Sequence, residues 1–202
     1  MGLDLAVRPW SECWSEQETA ERHLRAINGA LAQQGLDAWM PAAATAAKSS
    51  EPQWRARVGN YHALHVLREF AEQHNDDGTI THLLDHSDCD GVYIPVRFTE
   101  PLWIPMRNRI DGIVFEPVDF SVGSSLALLD ELNTLGPALA ALLPDRTEIR
   151  WGLRLGPHGQ WLSEDNAEEA LGGREATILH VARVLHHAAL LSKRLGSAIS
   201  FC

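Results

Sequence analysis

The chain has 202 residues, of which 45% are hydrophobic and 22% charged, with a formal net charge of −10. That balance fits a globular protein able to bury a core and excludes a general nucleic-acid binder, which needs a concentrated positive patch; the short basic clusters are Arg55-Ala-Arg57 and Arg107-Asn-Arg109. No uninterrupted apolar span is long enough for a membrane helix, and Asp4 stands where a signal peptide carries basic residues, so a cytoplasmic protein is expected.

A first helix is expected from Ser15, because Ser15-Glu-Gln-Glu18 has capping-box spacing. Leu24, Ile27 and Leu31 follow at helical spacing, and Gly35 suits the C-terminal cap. Residues 41–53 are rich in Ala, Ser and Pro and read as a loop or weakly ordered excursion. A second helix runs from Tyr61 to His74 with Asn60 as N-cap and an inward stripe of Leu64, Leu67, Phe70 and Ala71. Asn75-Asp-Asp-Gly78 is a turn signal. From Thr79 to Phe120, strand-like runs are broken by Pro95, Pro101, Pro105 and Pro117, which suits edge strands. Gly123-Ser-Ser125 then opens a leucine-rich helix, broken at Gly136-Pro137. A hairpin is expected over Glu148–Leu155 and Gln160–Leu162, then a short acidic helix from Ser163 to Gly172-Gly173. A long apolar helix from Glu175 to Leu195 ends at Gly196, and Ala198–Phe201 reads as a final strand. The fold class is α+β: one globular domain over 1–202, with helices at both ends packed on a small, proline-punctuated mixed or antiparallel sheet.

The densest chemistry lies in His82-Leu-Leu-Asp85-His86-Ser87-Asp88-Cys89-Asp90-Gly91, next to the apolar run Val92-Tyr93-Ile94. Alternating acids and a glycine resemble part of a calcium loop, but His86 would occupy its first position and Arg97 its twelfth, so an EF-hand is excluded. His82, His86, Asp88 and Asp90 form the candidate metal set, with Cys89 as a further donor to zinc. The competing reading is a turn in which Asp88 and Asp90 cap their own backbone. Cys89 as a nucleophile would need a base and an oxyanion donor, and a buried thiol is favoured. The cysteines Cys13, Cys89 and Cys202 are odd in number and far apart, which argues against a disulfide framework. His62, His65, His180, His186 and His187 read as core or surface histidines. Trp54, Trp103, Trp151 and Trp161 could line a pocket, and Asp111, Glu116 and Asp119 could join the cluster.

His86-Ser-Asp-Cys-Asp-Gly91 with Tyr93 and Pro95 resembles an uncharacterised family of bacterial proteins, frequent in actinobacteria. The Met1-Gly-Leu-Asp4 start, Gly123-Ser-Ser125 and Gly196-Ser-Ala-Ile-Ser-Phe201 are further landmarks of that resemblance. It implies no activity. The scarcity of lysine, with only Lys48 and Lys193, agrees with a GC-rich bacterial genome.

Acidity and the lack of a triad, P-loop or dinucleotide fingerprint point to a protein-binding or immunity-like inhibitory module. Its expected partner is a basic toxin or another protein, with no nucleic acid and no membrane. The tentative binding residues are His86, Ser87, Asp88, Cys89, Asp90 and Tyr93. The alternative is a metal-dependent hydrolase at His82, His86, Asp88, Cys89 and Asp90, with a divalent metal as the one cofactor such residues could take. No other cofactor is expected.

Overall fold

The two ends of the chain meet in the middle of one sheet. The computed structural model describes residues 3–41, 54–87, 91–106, 109–110, 113–114, 118–143, 148–155, 161–163 and 173–201. In chain order these form β1 (Leu3–Arg8), a 3-10 turn at Trp10–Glu12, α1 (Gln17–Gln33), β2 (Trp54–Gly59), α2 (Tyr61–Glu72), β3 (Gly91–Ile94), β4 (Leu102–Met106), β5 (Arg109–Ile110), β6 (Ile113–Val114), β7 (Val118–Ser124), α3 (Ser125–Thr134), α4 (Gly136–Ala140), β8 (Leu153–Leu155), β9 (Trp161–Ser163), α5 (Gly173–Leu195) and β10 (Ala198–Phe201). Six strands make a mixed sheet in the order β2-β1-β10-β3-β7-β4, and β5-β6 and β8-β9 are separate two-stranded ribbons. The β3–β7 pair is parallel; the other neighbours in the sheet are antiparallel. The α+β, single-domain class expected from the sequence is thus found, with the mixed form of the sheet.

Strand alternation divides the core between the two faces of the sheet. Leu3, Leu5, Val7 and Tyr93 point to one face, where they are buried together with apolar residues of α2, α3 and α5. Val92, Ile94, Leu102, Ile104 and Val122 point to the other, under Ile27 and Leu31 of α1 and the tryptophans Trp10 and Trp39. Thus β3 is covered on both sides, which explains its continuous apolar sequence. By contrast β4 is an outer strand in which Leu102, Ile104 and Met106 are buried while Trp103 and Pro105 face outward. Pro105 is tolerated there because an edge strand has one side without ladder bonds.

Several local expectations hold. The Asn60 Oδ1 accepts from Ala63 N–H at 2.9 Å and caps α2. After α1, Gly35 has φ +73, with Gly35 N–H bonded to Ala32 O and Leu36 N–H to Leu31 O, the paired closing bonds that favour glycine. Ser124 Oγ accepts from Ala127 N–H and caps α3. Pro137 sits in the first turn of α4, where its missing N–H costs nothing. The hairpin is present as β8–β9.

The capping box is corrected. Helix α1 starts at Gln17 with Glu16 as N-cap and no side-chain cap bond. Trp14 stacks on His23 at 3.7 Å, and that contact, rather than Ser15, sets how the chain enters the helix. The excursion at 41–53 and the short acidic helix after Ser163 lie outside the described residues, except for Pro41 and Ser163. No helix among the described residues is long and apolar enough to cross a membrane.

Candidate functional site

The histidine-rich segment lies where the α2-to-β3 connection crosses the start of α3. Glu131, in the second half of that helix, points back at the connection. Its carboxylate accepts the backbone N–H groups of Thr81 at 2.9 Å, His82 at 2.7 Å and Leu83 at 2.8 Å. Burial raises the Glu131 carboxyl above its ordinary pKa, and the three N–H donors oppose that rise. The connection therefore closes around a buried acceptor contributed from about fifty residues downstream.

His82 is fully buried. Its Nδ1 accepts the Ser124 N–H at 3.0 Å, so the proton sits on Nε2 and is donated to Phe98 O at 3.0 Å. Burial holds its pKa below the usual histidine value. The Tyr93 hydroxyl donates to His82 O at 2.9 Å. His86, 2% exposed, stacks flat on Tyr93 at 3.9 Å and 16° and bonds through Nε2 to Val92 O. Desolvation, with smaller help from the Arg68 charge, holds His86 down to about 3. Arg68 of α2 donates to Leu83 O and His86 O, and Ser87 N–H donates to Ser121 Oγ.

Space here is short. A Cβ on Gly91 would stand 2.1 Å from Ser121 Oγ and 2.7 Å from His86, and one on Gly123 would stand 2.4 Å from the Tyr93 ring. Gly91 is thus demanded by close approach between strands β3 and β7. The structure brings His82, His86, Ser87 and Tyr93 together, but as a packed crossing of connection, strand and helix. Asp88, Cys89 and Asp90 lie outside the described residues. Both ring nitrogens of His82 are engaged, and no group of three or more His, Cys, Asp or Glu able to hold a metal occurs among the described residues.

The other sequence candidates disperse. Trp54 and Trp103 sit on β2 and β4, at opposite edges of the sheet, and Trp151 stacks on His186 at 4.1 Å. Asp119 is exposed on β7, while Asp111 and Glu116 lie outside the described residues. His65 pairs with Glu69 at 3.1 Å, and His180 bonds Arg57 O.

Around this crossing several acids stand at the surface. Beyond α2 the turn carries Asp76 and Asp77, both exposed, and Asp85 and Glu100 stand exposed on the two connections that flank β3. Those connections are tied by Thr81 Oγ1 donating to Thr99 O at 3.1 Å. The Thr79 hydroxyl and N–H hold the Asp77 carboxyl below its ordinary value, so it stays ionised. Asp85 and Glu100 line a cavity of about 480 Å³ together with Thr81, Pro101 and Trp103. A second exposed acidic run, Glu12, Glu16, Glu18 and Glu21, marks the entry to α1. In the sequence Asp85 stands out only as part of the histidine-rich segment, and Asp76, Asp77, Glu16 and Glu18 only as turn or capping residues; the signal for an acidic surface is their sum, the net charge of −10.

The family model described as "Putative DNA-mimic protein" matches residues 1–81 and 77–201. The chain belongs to this family. No match was found among curated proteins or among solved structures. Membership overturns the metal-dependent hydrolase alternative and the immunity-like inhibitor aimed at a basic toxin, because a DNA mimic implies binding to DNA-binding proteins. The partner expectation is corrected in the same way: the family points to a DNA-binding protein in place of a basic toxin, and the expectation of no nucleic acid is consistent with mimicry. Protein binding is the part of the earlier expectation compatible with the family.

Proposed function

We propose that this protein occupies the DNA-binding surface of a partner protein, with carboxylates standing in for phosphates. The observation that carries this reading is the match to the DNA-mimic family along both stretches of the chain. The distribution of charge supports it. A DNA-binding surface presents arginines and lysines arranged to neutralise phosphates. Exposed Asp76, Asp77, Asp85 and Glu100, and separately Glu12, Glu16, Glu18 and Glu21, offer the opposite sign on a folded scaffold. The pull is long-ranged, so it raises the association rate and weakens as salt rises.

The buried crossing gives the acids their rigidity. Glu131 and His82 fix the connection that carries Asp85, and the Thr81–Thr99 bond fixes it against the one that carries Glu100. A preorganised array loses less entropy on binding than the same carboxylates on a flexible tail. In this reading His82, His86 and Tyr93 position the surface, while Asp88 and Asp90 extend the acidic series in sequence. The protein acts in the cytosol, where DNA-binding proteins meet their sites.

A displacement experiment tests this. DNA-binding proteins from a cell extract are loaded on immobilised duplex DNA and washed with the purified protein. A defined DNA-binding protein should elute and co-migrate with this chain in gel filtration, and that complex should dissociate at raised salt. Neutralising Asp76, Asp77, Asp85 and Glu100 together to Asn and Gln should weaken elution at least about tenfold. A partner that binds this chain and DNA at the same time would overturn the proposal, as would the absence of any displaced protein.

A further inference from the structure

The three-helix face of the sheet is not covered all the way to its β4 edge. Trp103 projects from this strand on the side away from Leu102 and Ile104, and it is 51% exposed. Its cross-strand partner is Ser121, and Asp119, paired with the neighbouring Pro105, faces the same side. The cavity at its foot has Asp85 and Glu100 as charged lining groups. Arg97, the cation on the same connection, is engaged with Asp130 of α3.

We infer that this cavity is a seat for an arginine side chain of the partner, the guanidinium lying against the Trp103 indole while Asp85 and Glu100 take its N–H donors. An exposed indole flanked by two carboxylates and no free cation among the lining residues complements a planar, weakly hydrated cation better than a compact ammonium. Arginine can stack and donate in two directions at once, whereas lysine presents a point charge. The inference rests on the DNA-mimic reading for its partner class and adds a distinct claim. Carboxylates pair with both arginine and lysine, and the indole face of Trp103, on which a planar guanidinium stacks, is what makes this surface select arginine.

The test uses the full chain and two peptides of equal length and charge, one built of arginines and one of lysines. Isothermal titration at moderate salt should show the arginine peptide binding about fivefold tighter. Trp103→Ala should erase the preference while leaving the lysine peptide unchanged, and Asp85→Asn with Glu100→Gln should weaken both peptides. Trp103→Leu keeps apolar bulk without the π face and should erase the preference too, which covers the case of an unstable alanine variant. Equal affinity for the two peptides in the native protein overturns the inference, as does a preference that survives both Trp103 substitutions. If arginine preference is absent while DNA-competitive displacement holds, only this seat is lost. If the preference is present and no DNA-binding protein is displaced, the seat stands and the mimic reading fails.

Discussion

Two neighbouring regions of this molecule use carboxylates in opposite ways. Glu131 is buried, accepts three backbone N–H groups and closes a connection. Asp76, Asp77, Asp85 and Glu100 are exposed on that connection and its flanks. Thr81 joins the two regions, its N–H given to Glu131 and its hydroxyl to Thr99 O. Inside, each polar atom needs a defined partner, because an unmet one costs its full desolvation. Outside, each acid keeps its hydration and its charge until a partner arrives. A dense mixture of histidine, serine and tyrosine therefore marks a crossing that must be satisfied internally. The surface that would meet a partner is built from commonplace residues.

Removing the inner carboxylate should have the largest effect. Glu131→Ala leaves the N–H groups of Thr81, His82 and Leu83 without an acceptor in a buried place. The expected loss is about 3–5 kcal/mol in urea unfolding. A change below about 1 kcal/mol would show that water reaches these groups and that the crossing does not hold the fold.

Acid should act on this region through His86 and on the packing of α5 through His186. The pKa values of His86 and His186 are held down to about 3 and about 4, both by burial first, against about 6.5 in the unfolded chain. Folded values below the unfolded ones mean that the stabilising preference for neutral imidazole is complete above about pH 6.5. It is lost as pH falls toward the folded values, because the unfolded chain then binds the extra protons. At pH 5 each of the two histidines should have cost about 2 kcal/mol. Glu131, raised by burial, works the other way: its share is present at low pH and fades as pH rises through its folded value, so it offsets part of the loss. Thermal unfolding from pH 7 to pH 5 should show a falling Tm, and His86→Phe should flatten the slope by about one proton. A Tm independent of pH over that range would mean that these imidazoles are hydrated.

Tight packing makes a smaller prediction. Gly123→Ala places a methyl group against the Tyr93 and His86 rings, and should cost about 1–3 kcal/mol. Differential scanning calorimetry measures it, and an unchanged Tm would mean that β7 and β3 can move apart.

Local signals in the sequence were good guides to the fold. Asn60 before an apolar stripe, Gly35 after one, and Gly136-Pro137 between two each report a geometry that neighbouring residues decide. The order of the sheet was not legible, because placing β10 between β1 and β3 joins the last strand to the first through contacts with no local signature. The same limit applied to the crossing. His82 to Gly91 drew attention by composition, yet its meaning depends on Glu131 and Ser124, some forty to fifty residues away. The acidic surface was visible only as a total, since exposure of a single aspartate is the ordinary state of that residue.

The smallest expected effect on stability comes from the outer carboxylates, and it separates the two regions most cleanly. Asp76→Asn, Asp85→Asn and Glu100→Gln remove charges that make no ion pair among the described residues. Each substitution should shift stability by no more than about 0.5 kcal/mol, and the sign should be favourable, since a chain at −10 repels itself. The same substitutions should lower the association rate with a DNA-binding partner and flatten its dependence on salt, which stopped-flow mixing at several ionic strengths would measure. Should they destabilise the protein as strongly as Glu131→Ala while leaving association unchanged, the division between a load held inside and a charge displayed outside would be false.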